Sequence, residues 1–210
     1  FNIYRMRIKL YEEFTYDTIN KNNLEYDQYL KYNKNRSGMV AWTAPGSQIS
    51  NFKLVDKHIE TGSVLDFGCG IGDFSEYLKS KNKLSKYLGV DINPNFIDIA
   101  KSSYDLNFKS ITDVSEITGN YDYVCAIGVF TWFITRDDFI NTINRLYDIC
   151  NNSVLITCLE ASDRKFRDDE KYWKSNYRYY NKELFNKLFP SYNITYDSSG
   201  TTLLVKINKN

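Results

Sequence analysis

Three ordered features of the chain predict an α/β protein: a seven-stranded, mostly parallel sheet with helices on both faces and an N-terminal helical lid. The first is Val64-Leu65-Asp66-Phe67-Gly68-Cys69-Gly70-Ile71-Gly72-Asp73-Phe74, an apolar run that ends in a carboxylate and breaks into alternating glycines. It reads as a strand, a tight loop and a helix start. The second is Tyr87-Leu88-Gly89-Val90-Asp91, another apolar run closed by an acid, 25 residues beyond Asp66. The third is the series of later apolar runs that alternate with helical patterns and finish in a hairpin.

Length and composition fit one globular unit. With 210 residues, 42% hydrophobic and 25% charged, the chain can bury a sizeable core; residues 51–210 are expected to form the main domain and 1–50 a cap. A net charge of +1, from 27 basic and 26 acidic residues, supplies no global field toward nucleic acid or an anionic membrane. Cys69, Cys125, Cys150 and Cys158 sit in or beside apolar runs without CxxC spacing. That favours reduced thiols in a cytoplasmic compartment and disfavours a metal site. No apolar run approaches the roughly 18 residues of a membrane span.

In chain order, residues 1–36 carry rough helical spacing, with Leu24 to Tyr32 as one segment and Asn33 to Gly38 as its break. A turn around Trp42 leads into a helix from Gln48 to Glu60, with Ser47 as its expected N-cap. After the glycine loop a helix runs from 73 to about 81, followed by the strand ending at Asp91. Asn93-Pro94 opens a helix through Lys101, because proline suits a first turn. Leu106 to Thr112 reads as a strand, and Tyr121 to Phe130 as a strand apolar enough for the centre of a parallel sheet. Arg136 to Cys150 has an acidic start and one apolar face. Ser153 to Leu159 is the next strand; residues 160–180 form a charged, aromatic insertion. A short helix over 181–189 precedes the hairpin strands Tyr192 to Tyr196 and Thr201 to Ile207.

The glycine loop carries the chemistry. Gly68 and Gly70 permit positive φ and close approach of a ligand, and Gly72 lets the following helix lie near the strand. Unpaired amides at that helix start suit an anionic group. Asp66 would repel the pyrophosphate of a dinucleotide, and the spacing is GxGxG, not GxGxxG. A zwitterionic amino acid joined to a nucleoside fits both parts, with its amino group near Asp66 and its ribose hydroxyls at Asp91. S-adenosylmethionine is such a molecule.

VLDFGCGIGDF followed by YLGVDINPNFIDIAK resembles the class I S-adenosylmethionine-dependent methyltransferases, Rossmann-like proteins, over about residues 60 to 160. The resemblance implies that Asp66, Gly68 and Gly70, with Cys69 in the same loop, hold the methionine end. Asp91 holds the ribose and Ile92 lies against adenine. Asp113 accepts from the adenine amino group, and the Val114 amide meets a ring nitrogen; a helix cap by Asp113 or Ser115 is the plainer reading. Trp42, Gln48 and Phe52 are similar to an N-terminal segment that closes over the cofactor in some small members, which makes Gln48 a cofactor contact; Trp42 and Phe52 also read as anchors between cap and sheet. Ile127 to Trp132, at a strand's carboxyl end, should face the transferable methyl group.

Acceptor recognition is then expected from Phe130, Trp132, Trp42 and the insertion residues Trp173, Tyr177 and Tyr180, aromatic walls that suit a small molecule. No catalytic residue stands out; His58, the sole histidine, lies well before the loop. The motifs of adenine-N6, cytosine-C5 and ribose 2′-O methylation have no counterpart after the fourth strand. The expected activity is methyl transfer to O or N of a small molecule. The alternatives are an RNA or protein methyltransferase using the basic insertion, or an inactive cofactor-binding scaffold.

Overall fold

The computed structural model describes residues 23–42, 44, 46–131, 134–161, 170–173 and 178–209. Its strands are β1 (Gly62–Phe67), β2 (Leu84–Asp91), β3 (Asn107–Ser110), β4 (Tyr121–Ile127), β5 (Cys150–Leu159), β6 (Asn193–Ser199) and β7 (Thr202–Asn208). They form one seven-stranded sheet in the order β3-β2-β1-β4-β5-β7-β6. β1 to β5 run parallel, while β7 enters antiparallel between β5 and β6. The chain therefore leaves β1 in two directions, toward β2 and later toward β4, and the carboxyl ends of these strands part to leave a crevice.

Period-2 alternation assigns the helices to faces. Val64, Cys125, Leu155 and Leu204 point to one side, under α3 (Ser47–Asp56), α4 (Asp73–Ser80) and α5 (Pro94–Ser103). Leu65, Val124, Ile156 and Leu203 point to the other, where α6 (Arg136–Asp148) and α8 (Lys182–Leu188) lie. The second layer is unusually aromatic: Phe139 of α6 meets the rings of Phe130, Trp173, Tyr180, Phe185 and Phe189. Truncating Phe139, which is fully buried, would cost about 3–5 kcal/mol on the usual scale for a core aromatic.

Local chemistry sets the helix starts. Asn93 accepts from the amides of Asn95 and Phe96 ahead of Pro94, Thr135 from Asp138, and Asn181 from Leu184. The expected Ser47 cap is not formed. Gly46 takes that position at φ +74° without a side-chain bond, and Ser47 Oγ donates instead to the Ala44 carbonyl. α3 also stops at Asp56, short of Glu60, and it runs across residue 50, so cap and main domain share a helix.

Before α3, a helix over 23–32 (α1) and a short one, α2 (Arg36–Met39), lie against the crevice. α1 docks on the β2–α5 turn: Asn23 donates to the Ile92 carbonyl, Asp27 accepts from Asn93 and Asn95, and Tyr26 meets Phe96 edge-on. Of the insertion, residues 160–161, α7 (Glu170–Trp173) and residues 178–180 are described. No helix among the described residues is long and apolar enough to cross a membrane.

Candidate active site

A cavity of about 560 Å³ opens where the carboxyl ends of β1, β2, β4 and β5 part. It is lined by Gln48, Asp66, Gly68, Cys69, Gly70, Asp91, Ile92, Asp113, Val114 and Ile127, and also by Trp42 and Phe130. Residues separated by more than sixty positions are thus brought together by the switch point of the sheet. Trp132 and Tyr177 lie outside the described residues. Trp173 and Tyr180, expected at the acceptor wall, are instead buried in the aromatic layer around Phe139. Phe130 is shared: it lines the cavity but is itself almost wholly buried, stacked on Phe67.

The glycine loop is stitched to the end of β2. The amides of Gly68 and Cys69 both donate to the Val90 carbonyl (2.8 and 3.0 Å), and that of Gly70 donates to Asp91 Oδ2 at 2.8 Å. These three loop amides therefore hold the loop to its neighbour strand. What the two glycines allow is a left-handed turn packed closely against Val129 and Val40. Gly68 and Gly70 have φ of +74° and +55°, and a Cβ at Gly68 would run into the Val129 side chain, one at Gly70 into Val40 Cγ1 at 2.8 Å.

Asp66 and Asp91 project from the same sheet face, and both are buried, at 2% and 8% exposure. Tyr87 donates to Asp66 Oδ2 at 2.7 Å; Asp91 accepts from the Gly70 and Asn93 amides. No cation among the described residues is bonded to either. Burial pushes the Asp66 carboxyl up to about 7, with the nearby Asp91 charge adding to the rise against the Tyr87 hydrogen bond. Burial likewise lifts Asp91 to about 6, against the backbone amides of Asn93, Gly70 and Ile92. Two buried carboxyls held this way are short of positive charge.

Asp113 caps the 3-10 turn Val114–Glu116, accepting from Ser115 at 2.7 Å, and still reaches the cavity wall. Gln48 points toward Asp73 at 3.5 Å; Asp73 also takes Arg36 at 2.6 Å and Tyr104 at 2.8 Å. His58 faces Asp197 on β6, away from the cavity. Three lining features escaped the sequence reading. Gly128, at φ +73°, has the Trp42 ring within 3.0 Å of where a Cβ would stand. Tyr26 lines the cavity from α1, and Asn51, Thr157, Thr201 and Thr202 form a neutral polar wall at its far end. Only helical period and strand alternation touch these residues in sequence, and neither marks a ligand.

A parallel sheet with an acid-flanked glycine loop at its switch point defines a Rossmann-like nucleotide-type site. Residues 65–156, somewhat under half of the chain, match a family model described as a methyltransferase domain. An uncharacterized protein of Rickettsia prowazekii is 33% identical over 110 residues, 45% of this chain and 42% of that protein. The chain spans less than half the length of the curated relatives it matches. Among solved structures, a protein of Pyrococcus horikoshii superposes with a TM-score of 0.66 at 16% identity, over 89% of this chain and 98% of that one. A magnesium protoporphyrin IX methyltransferase of Synechocystis, with SAH bound, gives a TM-score of 0.64 at 14% identity over 92% and 97%. At those identities the likeness is one of fold.

Proposed function

We propose that the chain binds S-adenosylmethionine in this cavity and transfers its methyl group to an oxygen or nitrogen of a small molecule, as a cytoplasmic enzyme. The observation that carries the reading is the pair of buried carboxyls, Asp66 and Asp91, with no cation among the described residues bonded to either and the glycine loop between them. An ammonium group beside Asp66 supplies the missing charge, and ribose hydroxyls can donate to the lone pairs that Asp91 retains. Ile92 and Val114 would flank adenine, with Asp113 near its amino group. Gly68, Cys69, Gly70 and Gln48 would border the methionine portion.

When bound, the cofactor supplies a sulfonium methyl open to in-line displacement. The chain's own work is alignment and exclusion of water, which in favourable cases is worth about 7–11 kcal/mol. Ile127 to Phe130 form the floor there, and Trp42 closes over Gly128. Residues 1–50 would act as the lid, with α1 and α2 holding the rim.

The acceptor end supports a small, neutral partner bearing a hydrogen-bond donor. Asn51, 5% exposed, donates to the Ser47 carbonyl at 3.0 Å and to Thr202 Oγ1 at 3.4 Å. That leaves its carbonyl oxygen for the cavity, where it can accept from an O–H or N–H.

Titration calorimetry with S-adenosylmethionine and S-adenosylhomocysteine tests the cofactor half; absence of heat with both would remove the proposal. Incubating metabolite extract with methyl-deuterated cofactor, followed by mass spectrometry, tests the acceptor half. Label in a small metabolite is the expected result. Label confined to RNA or protein would transfer the assignment to those substrates, and no label anywhere would favour an inactive binding protein.

A further inference from the structure

Tyr87 sits inside the sheet layer that supports the cavity, almost wholly buried, directly opposite Val64 in the β1–β2 register. Its hydroxyl runs diagonally to the neighbouring residue on that face, Asp66, and donates at 2.7 Å. Packing alone does not call for this pair. A phenylalanine and an aliphatic residue would fill the space without burying a phenol and a carboxyl, each costly to desolvate.

Among the described residues, the surroundings of Asp66 are neutral or acidic. β2 brings Tyr87 and Asp91, the glycine loop brings Cys69, and β4 brings Cys125. Burial raises both thiols and the phenol, so all three stay neutral. From α1, Tyr26 faces Asp91. At the start of α4, Asp73 also lines the cavity, and Arg36 on α2 is taken up by it and by the Ile71 carbonyl. Among the described residues no counter-charge meets that carboxylate, and a cationic ligand would bring one.

We propose that Tyr87 is a positioning residue for the cofactor's amino group: its hydroxyl holds the buried Asp66 carboxyl in the cavity wall, and that carboxyl, with no cation bonded to it among the described residues, gives up its proton to solvent when the ammonium group arrives. The inference rests on the cofactor reading above. The proton balance is simple, since the ammonium stays protonated, Tyr87 stays neutral, and Asp66 passes from acid to carboxylate. Affinity for the cofactor's amino acid end accordingly rises with pH until Asp66 ionises unaided, and then levels off. Tyr87 sets where that happens, because its hydrogen bond favours the carboxylate.

The test uses S-adenosylhomocysteine, with calorimetry in phosphate and in Tris from about pH 5.5 to about pH 8. Wild type is expected to release between about half a proton and one proton per site near pH 6.5, with affinity gaining several-fold up to about pH 7. Tyr87→Phe should shift that rise upward by about one pH unit, binding three- to tenfold more weakly at about pH 7 and approaching wild type at about pH 8. Asp66→Asn should bind weakly and keep only the change near pH 6 that belongs to Asp91. Equal weakening of Tyr87→Phe at every pH would reduce Tyr87 to packing and overturn the proposal. So would wild-type binding that releases no proton, a result that needs no variant. Failure of wild type to bind at any pH would instead strike the cofactor reading itself, and this inference with it.

Discussion

At the β1–β2 end of the cavity the strand tips carry carboxyls, held by main-chain amides and one tyrosine. At the β5–β7 end the wall is built from an amide and three hydroxyl side chains, Asn51, Thr157, Thr201 and Thr202. The first end presents buried carboxyls, and its geometry is fixed by a loop sewn to the next strand. The second presents neutral hydrogen-bonding groups, and its parts come from α3, β5, the β6–β7 turn and the start of β7. If the two ends serve cofactor and acceptor separately, damage at one should spare the other, and that separation can be tested.

The largest effect is expected from Gly68→Ala. A residue with a Cβ at φ +74° is strained by roughly 1–2 kcal/mol, and here the methyl would also collide with Val129. Cofactor affinity should fall by about a hundredfold or more, while far-UV circular dichroism keeps the α/β signal. Retained affinity would show that the ligand does not use the glycine cradle. Next comes Asp91→Ala, for which affinity should fall at least about tenfold, in line with about 1.5–3 kcal/mol for hydrogen bonds to a charged group. It also strips the Gly70 and Asn93 amides of their acceptor, so a lower melting temperature accompanies the loss. An unchanged affinity would place the ribose elsewhere.

These two positions were legible because they lie in one contiguous run: strand, acid, glycines, helix, strand, acid. The seven strands were legible for a similar reason, since alternation and apolar runs are local signals; the sequence reading missed an element end at the Ser47 cap and the short helices α2 and α7, which are too brief to show a period. Spacing could not reveal how the loop amides are used. Val90 becomes their acceptor only through the register of β1 on β2. The neutral wall was illegible because Asn51 and Thr202 lie 151 residues apart and neither type signals a ligand. Trp173 and Tyr180 misled because an aromatic residue in a charged insertion resembles a pocket wall as much as a core plug. Here the layer around Phe139 claimed them.

Asn51→Leu sharpens the contrast from the other end. It keeps the volume but removes the carbonyl acceptor and the tie to Thr202. With the acceptor identified by the labelling screen, kcat/KM should fall about tenfold, as for one lost hydrogen bond of about 1–1.5 kcal/mol. Cofactor affinity should stay within about twofold, since Asn51 contacts neither carboxyl. A parallel loss of cofactor affinity would mean that the two ends are not separable.

The smallest effect belongs to the rim that joins them. Arg36 bridges α2 to Asp73 and to the Ile71 carbonyl, so it ties the N-terminal segment to the end of the glycine loop. The Arg36 side chain is 43% exposed, and exposed pairs contribute little in water. Arg36→Ala should therefore leave the fold and equilibrium affinity nearly intact while speeding cofactor dissociation two- to fivefold in stopped-flow fluorescence, because a latch acts on the opening of the site more than on its contents. Added salt should reproduce part of the effect in wild type and none of it in the variant. Equal dissociation rates would mean that α2 covers the loop without gating it, leaving the α1 contacts with Asn93 and Asn95 as the remaining hold on the segment.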